Sequence, residues 1–431
     1  MRLKLSGGKN ILLVGDLRLH ILSGCVEVFG AKFCASQEVE VGKMMSAPLI
    51  SLGDVEIEVE FGEEGYISES SIDLIPSEWI DAADRIVGLS RGSVVLVCAD
   101  VDSGKSGLVC FIANRAIQAG RKVAIVGADT GQSETNPPTT IGLAYVDRPI
   151  THLSQLRYSK AFFVGSTSPS GMLERSIAGV IAMVEEARRE ADITLVNTTG
   201  WVHTQGGREL KEVKLVALRP NFVVILEKRP GELAYLSRIA NATGIPHVVV
   251  PAAPRLRRRT REERRRLRSN YYAREFQGAK EEVFLVDDLA FMFSYFGTGV
   301  PLDAEEVLKV VNTLGFLPEY AEKTQDMVII VTERSVGEDK TSLLSQRLGT
   351  PVRLLRPASF ENVLVGLLDE NFSLVGLGII KRFDPSSRSL TIYTRADPKK
   401  VKVLAFSRIR LSTKFEEICL LYTSPSPRDR G

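Results

Sequence analysis

Residues 93–132, SVVLVCADVDSGKSGLVCFIANRAIQAGRKVAIVGADTGQ, contain the pattern that decides the fold. The apolar run Val94–Cys98 is short enough to be a buried strand, and the spacing over Gly107–Ala119 predicts a helix that ends at Gly120. Between them lies DVDSGKS, residues 100–106. A strand, a tight loop and a helix in this order predict a P-loop, in which backbone N–H groups at the helix N-terminus bind phosphate.

The residues of this loop supply the chemistry that a nucleotide site needs. Gly104 permits close approach of the backbone to phosphate, Lys105 can reach the β- and γ-phosphates, and the Ser106 hydroxyl can bind Mg²⁺. The usual pattern opens with glycine, whereas position 99 is Ala. The alternative is an ordinary turn that happens to contain Gly-Lys-Ser. The residues expected to bind the nucleotide are Asp102, Ser103, Gly104, Lys105, Ser106 and Gly107.

A carboxylate follows the second strand of the same stretch. The run Lys122–Ala128 predicts a strand, and Asp129 comes directly after it. At the carboxyl end of a strand beside a P-loop, such a group can hold magnesium or orient a reacting hydroxyl. The alternative is that Asp129 only caps a turn or a helix, but its position favours a functional carboxylate.

The length and composition limit the classes of protein to which the chain can belong. The chain has 431 residues, of which 44% are hydrophobic, so it can bury a large core divided over roughly two to three domains. The five cysteines show no CxxC or Cys/His spacing, and we therefore expect neither a disulfide framework nor a zinc site. No signal peptide and no apolar run of about 18 residues is found, which predicts a soluble cytoplasmic protein without a membrane partner.

The chain divides into three predicted domains and a tail. Residues 1–76 contain short strand patterns separated by glycine-containing turns, which predict a small β domain. Strand and helix patterns alternate over residues 77–280, which predicts a mostly parallel sheet with helices on both faces. The predicted fold class is α/β, a P-loop NTPase core flanked by mainly β domains, the second over residues 281–418. Residues 419–431 resemble a translated sequencing adapter in place of the natural C-terminus, so we expect no fold information from them.

Polar segments follow several predicted strands of the central domain. Besides Asp129, these are Gly165–Pro169 and Asn197–Trp201. Ligands of such sheets bind beyond the carboxyl ends of the strands. We therefore expect these segments to converge with the P-loop at one edge of the sheet.

Residues 255–268, RLRRRTREERRRLR, form a dense cluster of positive charge. Nine arginines and two glutamates give it a net charge of +7, whereas the whole chain carries +2. A spacing of three to four residues would place four of the arginines on one face of a helix: Arg257, Arg261, Arg264 and Arg268. The alternative is a solvated basic helix, but its place after a P-loop core favours contact with phosphate groups.

Together these motifs resemble those of the polynucleotide 5′-hydroxyl kinases. That family includes the kinase subunit of the eukaryotic pre-mRNA cleavage machinery and the pre-rRNA-processing kinases, and the resemblance is closest to archaeal members. Its specific part is DSGKS at 102–106, DTGQ at 129–132, GSTSP at 165–169, NTTGWV at 197–202 and the arginine cluster. The resemblance implies ATP-dependent phosphorylation of the 5′-hydroxyl end of RNA, and leaves open whether DNA is also an acceptor.

Roles for the nucleotide and catalytic residues follow from this resemblance. It implies that Lys105 and Ser106 bind the triphosphate and Mg²⁺. It implies that Asp129, a second magnesium ligand, orients and deprotonates the 5′-hydroxyl. A lid of arginines would stabilise negative charge in the transition state: Arg259, Arg264 and Arg268.

The resemblance also implies contacts to the nucleic acid. Gln132 would bind substrate, and Thr167 and Ser168 would bind the phosphate near the terminal nucleotide. Trp201 would stack on a base, which suits an acceptor of any sequence because every base has an aromatic face. The alternative for Trp201 is a core aromatic, and its place at a strand end beside polar residues argues mildly against that.

Two departures from the family pattern and two rival functions stay open. Ala99 replaces the first P-loop glycine, and Thr204 replaces a glycine common after the Trp-Val pair. One rival is an ATP-binding scaffold subunit of an RNA-processing complex, against which the retained Lys105 and Asp129 argue. The other is a regulatory P-loop ATPase, which does not explain Trp201 or the flanking β domains. The sequence says nothing about protein partners.

Overall fold

The structure is a computed structural model that describes residues 1–254 and 260–420. These residues form two compact units. One contains residues 1–162 and 168–261, and the other contains residues 163–167 together with those from 262 onward. The division into three domains and a tail stays a prediction.

The N-terminal part of the first unit consists of two antiparallel sheets. Their strand orders are β1-β8-β3-β6 and β5-β4-β7-β2-β9. Burial alternates along the strands, as in Val55–Phe61, because one face of each sheet packs on the core. The strands are β1 (Arg2–Leu5), β2 (Asn10–Val14), β3 (Leu17–Ser23), β4 (Cys25–Val28), β5 (Ala31–Cys34), β6 (Glu38–Val41), β7 (Ser46–Ser51), β8 (Val55–Phe61) and β9 (Tyr66–Ser70).

A disulfide between Cys25 and Cys34 contradicts the sequence-based expectation. The hairpin formed by β4 and β5 places the two residues directly opposite each other, with their Cα atoms 4.1 Å apart. The register of a hairpin brings them together, and a spacing of nine residues carried no such signal. Cys98 and Cys110 are buried thiols, which act as small core residues.

The central part of the first unit is the predicted α/β core. Its sheet has the order β13-β12-β11-β14-β10-β15-β16, in which β11, β14, β10, β15 and β16 are parallel and β12 is antiparallel to β11. Most of its inner strands are buried at every residue, because helices cover both faces. The elements are α1 (Ser77–Val87), β10 (Ser93–Ala99), α2 (Lys105–Gln118), β11 (Val123–Ala128), β12 (Thr140–Val146), β13 (Lys160–Phe163), α3 (Leu173–Glu190), β14 (Ile193–Thr198), α4 (Gln205–Leu218), β15 (Phe222–Glu227), α5 (Ala234–Thr243) and β16 (His247–Pro251).

The mostly parallel sheet confirms the predicted fold class. The strand β12 was not predicted, because its sequence follows a Pro-Pro pair and reads as part of a loop. One hydrophobic core contains residues of both the N-terminal sheets and the α/β part, among them Phe29, Trp79 and Phe111.

The second unit contains two further sheets, with orders β17-β25-β24-β23-β26-β18 and β19-β20-β21-β22, and β27 pairs with β26. The sequence predicts a mainly β region, and the structure adds two helices beside the smaller sheet. The elements are α6 (Arg261–Glu275), β17 (Lys280–Leu285), β18 (Ala290–Met292), β19 (Val300–Pro301), α7 (Ala304–Leu314), β20 (Tyr320–Lys323), β21 (Val328–Val331), α8 (Glu338–Leu348), β22 (Val352–Leu355), β23 (Val363–Leu368), β24 (Leu374–Asp384), β25 (Ser389–Thr394), β26 (Val403–Leu411) and β27 (Glu417–Leu420).

The arginine cluster overlaps a helix whose bounds differ from the predicted 255–268. The helix α6 begins at Arg261 and continues to Glu275, because its apolar residues follow the arginines. Tyr272 and Phe276 are buried, and the Phe276 ring stacks on that of Phe415 at 5.5 Å. Residues 255–259, which include the candidate Arg259, lie outside the described residues.

Two further expectations concern the tail and the membrane. The strand β27 extends to Leu420 and pairs with β26, so it includes the first two residues of the predicted tail, whose origin stays a prediction. Residues 421–431 lie outside the described part of the chain. Among the helices that the structure describes, none combines the length and the apolar character that a bilayer crossing requires.

Candidate active site

Sheet order brings three loops to one edge. The strand β14 lies between β10 and β11, and all three are parallel. Asn197 pairs with Val97 on one side and with Gly127 on the other. The P-loop, Asp129 and the segment that leads to Trp201 therefore leave the sheet side by side, as predicted for these polar strand ends. The convergence of Gly165–Pro169 with them stays a prediction. Residues 199–203 are called the Trp201 loop below.

The backbone of the P-loop turns at two residues with left-handed conformation. Asp102 has a φ of 50° and Gly104 a φ of 87°. Ser103 is buried, and its Oγ donates to the carbonyl of Asp100 at 2.7 Å. Gly104 precedes α2, whose first turn has neither a side-chain cap nor an acidic residue. The N–H groups of that turn can therefore bind an anion.

The Ala99 departure has a simple structural explanation. Ala99 is the last residue of β10, it pairs with Leu226 of β15, and it is fully buried in the core. The backbone is extended there, a conformation open to any residue, so no glycine is required. The methyl group packs in the core and leaves the P-loop turn unchanged.

Lys105 lies at the start of α2, between acidic groups. It is half-buried, and burial lowers the pKa of its ammonium group. The carboxylates of Asp129 and Glu134 oppose that shift and hold the positive charge. Ser106 follows on the same turn and is also half-buried. The predicted phosphate-binding lysine therefore lies near the predicted base, and Glu134 is a second nearby acid that sequence reasoning did not identify.

Asp129 is held by its own turn. Its Oδ1 accepts hydrogen bonds from the backbone N–H groups of Gly131 and Gln132, each at 3.1 Å. The other oxygen, Oδ2, makes no hydrogen bond with any described residue. The turn geometry proposed as the alternative for Asp129 is thus present, and it orients the carboxylate without engaging both oxygens. Gln132 is half-buried, and its Nε2 donates to the carbonyl of Gly131 at 2.8 Å.

A buried polar loop lies against the strand that carries Asp129. The Ser133 hydroxyl donates to Asn136 Oδ1 at 2.5 Å, and the Asn136 amide donates to the carbonyl of Thr140 at 2.9 Å. A Cβ at Gly127 would come within 2.3 Å of Asn136 Oδ1, so only glycine permits this packing. His152 Nε2 lies 3.3 Å from Glu134 Oε1 in the same region.

The Trp201 loop packs closely on its neighbours. The backbone N–H of Trp201 donates to Thr199 Oγ1 at 3.3 Å. A Cβ at Gly200 would lie 2.7 Å from the backbone nitrogen of Val101 in the P-loop. A Cβ at Gly206 would meet the Trp201 ring at 2.8 Å. The indole therefore lies over the first turn of α4, half-buried rather than enclosed in a core.

Thr204, the second departure, caps α4. Its side chain accepts a hydrogen bond from the N–H of Gly207 at 3.2 Å, and its backbone is extended. Threonine and glycine are about equally good N-cap residues, so the replacement leaves the helix start intact.

A second network, of charged and polar side chains around Asp100, also holds the P-loop. Lys228 Nζ donates to Asp100 Oδ2 at 2.5 Å and to the carbonyl of Val101 at 3.0 Å. His203 Nε2 lies 3.3 Å from Asp100 Oδ2 and 3.7 Å from Glu232 Oε1. Burial raises the pKa of Asp100, but the hydrogen bonds from Lys228 and His203 outweigh it, so that pKa is lowered. Because the Lys228 ammonium already balances the charge of Asp100, we assign this cluster to holding the P-loop and not to a metal.

The remaining candidates lie elsewhere in the chain. Thr167 is half-buried and Ser168 is exposed, and Ser168 Oγ accepts from the N–H of Ser170 at 3.2 Å. Arg264 is half-buried on α6. Arg268 donates to both oxygens of Glu417, at 3.0 and 3.3 Å. The predicted lid arginine Arg268 is therefore paired with a carboxylate of its own unit.

The residues present fit a magnesium nucleotide. Mg²⁺ prefers oxygen ligands, and the Ser106 hydroxyl and the Asp129 carboxylate supply them beside the anion-binding turn of α2. The half-buried Lys105 supplies a positive charge for the triphosphate. These residues would hold the magnesium and the phosphates.

Similarity to known proteins covers the P-loop part and most of the chain. The family model described as "mRNA cleavage and polyadenylation factor CLP1 P-loop" matches residues 99–278. A polyribonucleotide 5′-hydroxyl-kinase of Thermococcus kodakarensis is 30% identical over 351 residues, which cover 80% of this chain and 96% of the relative. The chain belongs to the polyribonucleotide 5′-hydroxyl-kinase family. The resemblance drawn from the motifs is confirmed.

A second relative and one solved structure extend the comparison. The polyribonucleotide 5′-hydroxyl-kinase of Methanocaldococcus jannaschii is 29% identical, over 80% of this chain and 95% of that relative. Among solved structures, that of a wild-type Clp1p–Pcf11p complex has a TM-score of 0.64 at 12% identity, and covers 95% of this chain and 97% of that one. At this identity the likeness shows a shared fold.

Two lysines of α4 were missed by sequence reasoning. Lys211 and Lys214 are buried, with at most 1% of their surface exposed. Lysines on a helix normally face solvent. A signal did exist, because Lys214 is four residues from both Leu210 and Leu218, which form the buried face of α4.

Proposed function

We propose that this chain is an ATP-dependent polyribonucleotide 5′-hydroxyl-kinase, which transfers the γ-phosphoryl group of ATP to the 5′-hydroxyl end of RNA. The observation that carries the proposal is the placement of the Trp201 loop between the P-loop and Asp129 at one edge of the sheet. Such an arrangement presents an acceptor to both a triphosphate and a base. A cytoplasmic location, where ATP and RNA are available together, is part of the proposal.

Phosphoryl transfer demands mainly positioning and charge stabilisation. The N–H groups of α2 and Lys105 bind the β- and γ-phosphates, and the loop residues from Asp102 to Gly107 surround them. Bound Mg²⁺ would lie at Ser106 and Asp129 and reduce the negative charge of the phosphates. Burial lowers the pKa of Lys105, and the carboxylates of Asp129 and Glu134 oppose that shift.

Asp129 accepts the proton of the acceptor. The 5′-oxygen forms a bond to the γ-phosphorus, the bond from that phosphorus to the leaving oxygen of ADP breaks, and the 5′-hydroxyl proton passes to Asp129 Oδ2. Its Oδ1 stays bonded to Gly131 and Gln132, which keeps the carboxylate oriented. General-base catalysis of this kind contributes about 10²- to 10⁴-fold.

The acceptor is bound by the remaining candidates. Trp201 stacks on a base near the 5′ end, and Gln132 contacts the substrate beside Asp129. Thr167 and Ser168 bind the phosphate of the terminal nucleotide. Three arginines stabilise the charge of the transition state: Arg259, Arg264 and Arg268.

The test is transfer of labelled γ-phosphate from ATP and Mg²⁺ to short RNA and DNA oligonucleotides with 5′-hydroxyl ends. Lys105→Ala and Asp129→Asn should each reduce transfer by at least about a hundredfold. Asp147→Asn is a matched control, because Asp147 follows the antiparallel β12 and therefore lies at the opposite edge of the sheet. Transfer to RNA but not DNA would define the acceptor. A folded protein that binds ATP and transfers no label would support the scaffold instead.

A further inference from the structure

Lys211 is a buried ammonium group at an unusual place. It is fully buried in α4, and no described residue forms an ion pair with it. Its Nζ donates to the carbonyl of Thr199 at 2.5 Å. Burial of a charged group is unfavourable unless strong hydrogen bonds compensate it. A lysine kept at such a position therefore calls for a role.

Lys211 binds the carbonyl of Thr199, which is the first residue of the Trp201 loop. Thr199 accepts from the N–H of Trp201 through its Oγ1, so the same residue is bonded to the lysine and to the tryptophan. Gly207 packs on the carbonyl of Trp201, and a Cβ at Gly207 would lie 2.8 Å from that carbonyl oxygen. The loop is thus attached to α4 at both ends, by Lys211 before the indole and by the helix start after it.

The P-loop has anchors of its own besides its contacts with Gly200 and His203 of the Trp201 loop. Ser103 Oγ bonds the carbonyl of Asp100, and Lys228 bonds both Asp100 and Val101. None of these contacts involves Lys211 or Thr199. Loss of the bond from Lys211 to Thr199 should therefore disturb the Trp201 side and spare the nucleotide side.

We propose that Lys211 is a positioning residue for the RNA acceptor, which fixes the Thr199 carbonyl and through it the orientation of the Trp201 indole. The inference rests on the proposed function, in which Trp201 stacks on a base of the RNA. The Nζ of Lys211 reaches the Thr199 carbonyl from α4 and donates to it, which a side chain without an N–H group cannot do.

Lys214 provides a matched control. It lies one turn further along the same helix and is equally buried, but its Nζ makes no hydrogen bond with any described residue. Lys214→Met therefore removes a buried ammonium group without removing a contact of the Trp201 loop. Methionine has a similar length and no charge, so the same substitution can be made at both positions.

The experiment compares Lys211→Met, Lys214→Met and the unsubstituted protein in steady-state transfer to a short 5′-hydroxyl RNA. Lys211→Met should raise the KM for RNA by about tenfold or more and leave the KM for ATP within about twofold, without lowering the melting temperature. Lys214→Met should change neither KM. Lys211→Gln, which keeps an N–H donor without the charge, should give an intermediate KM for RNA and is the second variant if Lys211→Met does not fold.

A second readout separates this inference from the proposed activity. Stacking of a base on Trp201 should quench its fluorescence when RNA is added without ATP, and Trp201→Phe identifies the part of the signal that belongs to this indole. Lys211→Met should weaken that quenching, and Lys214→Met should not. If the unsubstituted protein transfers no phosphate, the proposed activity is wrong. The fluorescence quenching by RNA then tests the role of Lys211 by itself. Equal RNA affinity in the two methionine variants, or an equal loss of ATP and RNA affinity in Lys211→Met, would overturn the inference.

Discussion

Single residues show how burial changes the chemistry of the site. Burial lowers the pKa of Lys105, Lys211 and Lys214, and the Asp129 carboxylate opposes that shift at all three, whereas Glu134 opposes it only at Lys105. Burial is the largest cause of the lowered pKa of both α4 lysines, and the nearby lysine ammonium groups add to it. The charge state of a residue is therefore set by what surrounds it and not by its type.

Lys214 should make stability depend on pH. Burial lowers its pKa from 10.5 to about 8 in the folded protein. The unfolded chain therefore binds more protons between about pH 8 and pH 10.5, and the stability rises with pH over that window. Below about pH 8, burial of the charged group lowers the free energy of unfolding by its full amount, about 3 kcal/mol. Above about pH 10.5 the group is neutral in both states and this effect disappears.

Lys214→Met removes this cost. The variant should be more stable than the unsubstituted protein at pH 7, by up to about 3 kcal/mol, and the difference should shrink as the pH is raised from 8 to 10. Urea unfolding followed by tryptophan fluorescence measures it, because Trp79 and Trp201 both lie in the first unit. A difference in unfolding free energy that does not change with pH would contradict the assignment.

At the scale of elements, the helix α6 carries both the arginines and an apolar anchor. Its second half is held by Tyr272 and Phe276, and Phe276 also stacks on Tyr393 at 5.9 Å. Arg268, near the middle of the helix, is only 20% exposed and is paired with Glu417. Arg268 can bind a phosphate group only if its guanidinium leaves the Glu417 carboxylate.

Substitutions at this ion pair test the proposed catalytic role of Arg268. Arg268→Ala should lower kcat by about a hundredfold or more, because it removes a charge that stabilises the transition state. Glu417→Gln should leave kcat unchanged or raise it, because it releases the guanidinium from its carboxylate. Arg265→Ala is the control, since Arg265 contacts the carbonyl of Glu417 from the same helix and is not among the proposed catalytic residues. An equal loss of kcat in Arg268→Ala and Glu417→Gln would show that the pair only anchors the helix.

At the scale of the whole molecule, the N-terminal sheets share a core with the P-loop part. The Phe29 ring lies so close to Gly107 that a Cβ there would come within 2.9 Å of it. The carbonyl of Phe29 accepts from Asn114 of α2 at 2.9 Å. The helix that begins the nucleotide site is therefore packed against residues of the N-terminal sheets.

A chain that begins at Ser77 should not fold into a stable nucleotide-binding protein. Its apolar core residues around α1 and α2 would be exposed, and Asn114 would lose a buried hydrogen bond. Circular dichroism and limited proteolysis would detect the loss, and Phe29→Ala in the full chain should lower the melting temperature to a smaller extent. A shortened chain that binds ATP and resists proteolysis would show instead that residues 1–76 fold separately, as the predicted domain division supposes.

The sequence by itself determined the features that depend on local pattern. The strand–loop–helix around Lys105, the position of Asp129 after its strand and the alternation of strands and helices all follow from residues close together in the chain. The same motifs were sufficient to name the family. Local chemistry decides these features, because periodicity, turn residues and phosphate-binding loops act over a few positions.

Only the tertiary structure decided which distant residues meet. Strand order placed β14 between β10 and β11, hairpin register placed Cys25 opposite Cys34, and packing buried Lys211 against Thr199. Arg268 and Glu417 are 149 residues apart in the chain. No local pattern encodes such pairs, because burial and partners depend on the packing of whole elements and not on the residues beside them.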